Sequence, residues 1–140
     1  MTPRHIICLV PLLAITLAAC QAYVEKYVEP KVDPNLMPTN YQTRLLNQLR
    51  DELDDPTGIR DASITEPTLK AVGPDMRYVV CTRFNSRDYN GRYSPHEKVA
   101  YFFAGQMTQL VDAPAGFCAN VAYKPFPELQ KLCRQLNCPA

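Results

Sequence analysis

The groups in this 140-residue chain that can carry chemistry are its six cysteines, the lone histidine of its body, four clustered acids and a tyrosine–arginine stretch. An enzyme needs a nucleophile or an acid–base pair within hydrogen-bond reach of a partner that activates it. His96 follows Ser94-Pro95 in a turn-rich stretch with no second imidazole nearby, and it reads as a solvent-exposed loop residue. Cys81 is a nominal thiol nucleophile, but it belongs to an even set with Cys118, Cys133 and Cys138, and an even set in an exported chain favours disulfides. Zinc is the rival use of those thiols. No C-x-x-C pair occurs and His96 is the only imidazole beyond the N-terminus, so no metal is expected. Asp51, Glu52, Asp54 and Asp55 lack the ligand spacing and central glycine of a calcium loop and read as a solvated helix end. No cofactor is implied, and the chain reads as a non-enzyme. Arg87, Tyr89, Arg92 and Tyr93 remain, the one stretch with the composition of a partner-binding loop.

The first residues place the protein. Arg4 and His5 form a short basic start, and Ile6 to Ala19 is an apolar run of about 14 residues, shorter than the roughly 20 a spanning helix needs. This is the layout of a secretory signal, 1–19. Leu17-Ala18-Ala19-Cys20 resembles the lipobox of bacterial lipoproteins. That resemblance implies a diacylglyceryl group on the Cys20 thiol, cleavage just before it, and often acylation of the new amine, for example as palmitate. One acyl chain holds marginally, whereas two or three hold durably. Gln21, in place of an aspartate after the cysteine, implies by the same resemblance the outer membrane, facing the periplasm.

Removal of Arg4 from 15 basic residues leaves 14 against 14 acidic ones, so the mature chain is formally neutral. A nucleic-acid partner, which needs a basic patch, is not expected. Residues 20–38 carry the lipidated cysteine and three prolines, with Tyr23-Val24-Glu25-Lys26 echoed by Tyr27-Val28-Glu29-Pro30. They read as a stalk spanning about 25 Å as a coil and about 60 Å when extended. Residues 39–140 are one domain's worth of chain.

Within that domain, Thr39 with Gln42 has capping-box spacing, and Tyr41, Leu45, Leu46, Leu49 and Leu53 form one helical stripe. Asp54-Asp55-Pro56 ends the helix. Its acidic end opposes the helix dipole and calls for solvent or a basic partner. Ile59 to Lys70 reads as an edge strand interrupted at Pro67. Met76 to Asn85 is the clearest strand, with Tyr78, Val80 and Phe84 on one face and Val79, Cys81 and two arginines on the other. Ser86 to His96 is read as a loop of about ten residues, longer than most hairpin connections, with a turn at Asn90-Gly91 and a return stiffened by Pro95. Lys98 to Phe103 and Gln106 to Val111 form a hairpin around Ala104-Gly105. Phe117 to Tyr123 is a further short strand, and Pro127 opens a short helix through Leu129, Leu132, Cys133 and Leu136. The expected fold is α+β: an N-terminal helix, an antiparallel sheet of three to four strands, a short C-terminal helix and two disulfides.

The run Asp55-Pro56-x-x-Ile59-Arg60-Asp61, then Val80-Cys81-x-x-x-Asn85-x-Arg87 and Gly91-x-Tyr93, is similar to a group of small exported proteins and lipoproteins of proteobacteria with no established function. Arg92 and Pro95 stand where glycines are usual in that group, so the loop here is bulkier and stiffer. The four cysteines beyond Cys20 allow three pairings. Cys133 and Cys138 are too far apart to pair while helical geometry persists. The resemblance implies Cys81–Cys133, which leaves Cys118–Cys138. The function expected is a non-catalytic, lipid-anchored envelope module that binds or scaffolds another envelope component. The alternative is an inhibitor, since the plan resembles the small lipid-anchored periplasmic inhibitors of lysozyme.

Overall fold

The computed structural model describes residues 31–132, so the signal segment, Cys20, most of the stalk, Cys133 and Cys138 lie outside the described residues. The described elements belong to one compact unit that begins at Asp33.

Helix α1 (Tyr41–Glu52) buries Tyr41, Leu45 and Leu49 at four-residue steps, with Leu46 and Leu53 partly buried beside them. Each fully buried leucine contributes roughly 1.5–3 kcal/mol. Asn40, not Thr39, occupies the N-cap and makes no side-chain capping bond, so the expected capping box is absent. The helix closes at Leu53, whose amide still donates to the Leu49 carbonyl, and the next residues enter a strand.

Six strands follow or flank this point: β1 (Asp55–Thr65), β2 (Thr68–Val72), β3 (Asp75–Arg87), β4 (Tyr93–Phe103), β5 (Gln106–Asp112) and β6 (Tyr123–Pro125). Helix α2 (Pro127–Gln130) ends the described chain, with proline in its first turn as expected. The strands form one antiparallel sheet in the order β5-β4-β3-β1-β6, while β2 pairs with the other half of β3. The α+β class is thus as read, with six strands in place of three or four.

The strand missed most completely is the first half of β1. Asp55-Pro56-Thr57-Gly58 has turn composition, but Pro56 lies at the strand's start, where its missing N–H is tolerated. The break at Pro67 is real and separates β1 from β2. However, β1 is not an edge, because Ser63 to Thr65 pair with β6. Phe117 is in a turn, and strand structure returns only at Tyr123.

Parity along β3 sorts the two cores. Val80 and Phe84 join Ala100, Phe102, α1, Phe126 and Leu129 on one face. Val79 and Cys81 join Val99, Tyr101 and Cys118 on the other. Cys81 is bonded to Cys118, with Cα atoms 6.0 Å apart, which overturns the pairings Cys81–Cys133 and Cys118–Cys138. The reason is the period of a strand: Cys81 shares its face with Val79, Val99 and Cys118 and points away from the face that receives Leu129 and Leu132.

The Ser86–His96 loop is also corrected. Arg87 pairs with Tyr93, Ser86 with Ser94 and Phe84 with His96, leaving only residues 88–92 as the connection. Pro95 is accommodated because β5 stops at Asp112 opposite Lys98, so β4 is an edge at Pro95 and its lost donor faces no neighbour.

Candidate binding surface at the β3–β4 hairpin

The hairpin tip is organised by Asp88. Its Oδ1 accepts from the amides of Asn90 (2.8 Å) and Arg92 (2.9 Å), and its Oδ2 accepts from Arg92 Nε at 3.0 Å. The Gly91 amide, at φ 76°, donates to the Asp88 carbonyl. An aspartate side chain bonded to its own backbone two residues on is a recurrent turn device, and Asp88-x-Asn90 is its signature. The Arg92 amide, the first cause, and its guanidinium hold the Asp88 carboxyl below its ordinary range. Above this knot Tyr89 is 82% exposed and the Arg92 side chain 78% exposed.

The four interface candidates therefore divide. Arg87 and Tyr93 turn back onto β1. Arg87 forms an ion pair with Asp55 at 2.7 Å and donates to the Thr57 hydroxyl at 3.2 Å. Tyr93 donates its hydroxyl proton to the Gly58 carbonyl at 2.9 Å, and the Arg60 guanidinium lies 4.1 Å from its ring centre. Gly58 has φ +68°, and a Cβ there would meet Arg87 Nη2 and the Tyr93 hydroxyl at 3.3 Å each. Asn85 donates to Asp61 at 2.7 Å, which helps hold Asp61 in the left-handed region at φ 55°, where the β1–β3 register shifts. The two halves of the motif, Asp55 to Asp61 and Asn85 to Tyr93, thus hold each other. Tyr89 and Arg92 are left facing solvent.

Beside the hairpin a cleft of about 420 Å³ is lined by Glu52, Ser86, His96, Lys98 and Asp112 among others. Lys98 stands 3.3 Å from Asp112 and 3.6 Å from Glu52, so the helix's acidic end has a basic partner. Asp55 has one too, in Arg87. Neither carboxylate is a vacant cation ligand, and no group of three or more potential metal ligands occurs among the described residues. His96 Nε2 lies 3.1 Å from the Ser94 hydroxyl, and its ring stacks on Phe84 with centres 5.2 Å apart. This is a serine–imidazole contact whose ring is set by stacking on an apolar neighbour, without a carboxylate hydrogen bond to orient it among the described residues. Cys81, being in a disulfide, is not a thiol nucleophile.

Asp88, Gly58 and Arg60 were missed in the sequence as members of this region. Asp88 was legible from its turn signature. Gly58 and Arg60 were not, because their partners lie on another strand. No family model, no curated protein and no solved structure matches the chain. Among the described residues, no helix is long and apolar enough to cross a membrane.

Proposed function

We propose that the mature protein is a lipid-anchored, non-catalytic module of the bacterial cell envelope, held in the outer membrane by Cys20 and facing the periplasm. In this reading it binds an envelope protein through the tip of the β3–β4 hairpin. The observation that carries the binding is the Tyr89–Arg92 tip. Two side chains of the types that dominate binding hot spots stand exposed on a turn already fixed by Asp88, so little order has to be gained on association. Leu17 to Cys20 supports the anchor, and a Cys81–Cys118 disulfide is of the kind that persists in an oxidising compartment. The similarity to small exported proteobacterial lipoproteins points the same way. Inhibition of a lysozyme is the second reading; it rests on the small, β-rich, disulfide-bonded plan.

The test is crosslinking in intact cells with identification of the captured partner, comparing wild type with Tyr89→Ala/Arg92→Ala. Loss of capture with an unchanged thermal midpoint is expected. A double mutant that still captures every partner, or that unfolds, reduces the tip to structure. Capture of a lysozyme, with inhibition in vitro, selects the second reading.

A further inference from the structure

The opposite end of the sheet is chemically different. The β2–β3 turn and the β4–β5 turn lie at that end, and the chain reaches it as it enters the compact unit at Asp33. The Ala104 amide donates to the Pro34 carbonyl at 2.9 Å, and a Cβ on Gly105 would lie 3.5 Å from Leu36. A small groove joins Pro34 and Asn35 to Met76 and Phe103. Around it four large apolar side chains face outward: Leu36 (56% exposed), Met37 (54%), Met76 (46%) and Phe103 (45%). By strand parity Met76 lies on the Val80 face and Phe103 on the Tyr101 face, so the four rim the end of the sheet rather than cover one face. Exposed apolar groups gathered at one end mark a contact surface.

The charges beside this patch are already engaged. Asp33 accepts from the Asn35 amide at 2.9 Å, and Asp75 pairs with Arg77 at 3.4 Å. Asp33 is thirteen residue steps from Cys20, so a chain anchored at Cys20 holds the entry point within about 45 Å of the lipid at full extension, and closer in any coiled form. A tether of that length raises the effective concentration of the membrane for whatever lies at its end, so a weak apolar contact suffices. We propose that Leu36, Met37, Met76 and Phe103 dock this end of the domain on the lipid surface, an inference that rests on the Cys20 anchor. Strand β4, 11 residues long, then carries the Tyr89–Arg92 tip about 33 Å away from the membrane, toward a partner.

The chain has no tryptophan, so Phe103→Trp supplies a single reporter at an exposed site. The full-length protein would be purified from membranes, weighed by mass spectrometry, and reconstituted into phosphatidylethanolamine–phosphatidylglycerol vesicles with brominated acyl chains. Emission of the introduced indole is expected to be quenched about twofold or more relative to a Tyr89→Trp reporter, and the difference should vanish when Leu36→Glu and Met37→Glu are added. Met76→Trp serves as a second reporter should Phe103→Trp perturb folding. Equal quenching of the two ends in a protein that carries the acyl mass overturns the docking alone. Shielded emission without bromine quenching, accompanied by crosslinked dimers, overturns it in favour of a second copy. A protein without the acyl mass overturns the anchor, and the docking with it.

Discussion

The carboxylate of Asp55 lies 2.7 Å from the guanidinium of Arg87, and this contact joins the start of β1 to the end of β3. The pair is at the point where Asp55 faces Arg87 across the ladder before the register slips toward Arg60 and Asn85. The same carboxylate accepts from the Thr57 amide and hydroxyl, so one side chain ties a strand with turn-like composition to its neighbour. The Thr57 hydroxyl is the largest cause holding Asp55 below its ordinary range; burial opposes it, and the Thr57 amide and Arg87 add to the lowering.

Asp55→Ala should therefore destabilise the domain by about 1–2 kcal/mol, since it strands Arg87 and two Thr57 donors at a partly buried site. Asp55, Glu66 and Asp88 all have lowered carboxyl pKa values, Glu66 chiefly through Lys124 and then Tyr41. A lowered folded pKa means the unfolded chain takes up protons first, so their stabilisation is complete above about pH 4–5 and is lost as pH falls through the folded values. Urea midpoints measured at neutral and acid pH should converge between wild type and Asp55→Asn as the pH drops. Parallel lines would remove Asp55 from the acid response.

The Cys81–Cys118 bond closes a loop of sequence separation 37, for which the chain-entropy relation gives about 4 kcal/mol. Cys81→Ala/Cys118→Ala should destabilise the domain by an amount of that order, read as a lower urea midpoint, while keeping the sheet, because Val79, Val99 and Tyr101 still pack on that face. Non-reducing peptide mapping should join the peptides of Cys81 and Cys118. Recovery of Cys81 joined to Cys133 would contradict the parity of β3.

Tyr123 should titrate late. Burial, and then its hydrogen bond to Glu97 at 3.1 Å, push its phenol up to about 12. The folded state then holds a proton that the unfolded chain releases near 10, so Tyr123's contribution is intact below about pH 10 and is lost as pH rises toward 12. Phenolate absorbance should show one tyrosine ionising last, and Tyr123→Phe should delete that step. Arg83 lies 4.2 Å from the same ring centre and 2.6 Å from Glu97, so Glu97→Gln should advance the step to lower pH.

Local signals and tertiary pairing divided the work unequally. The α1 stripe, the Ala104-Gly105 hairpin, the break at Pro67 and the alternation of β3 were legible because each depends on residues a few positions apart, with period 3.6 or 2. Even the face of Cys81 was legible, and only the partner suggested by resemblance was wrong. What the tertiary structure decided is everything that depends on a distant neighbour. Asp55 to Gly58 look like a turn in isolation and become a strand because Arg87 and Tyr93 supply their partners. Ser86 to His96 look like one loop, yet all but residues 88–92 pair as strand because β3 and β4 extend each other, leaving Pro95 at an edge. The order of strands, and hence the exposure of Tyr89 and Arg92 at one end and of Leu36 and Phe103 at the other, follows from those long-range pairings. Their energy comes from contacts between segments that no local pattern can announce.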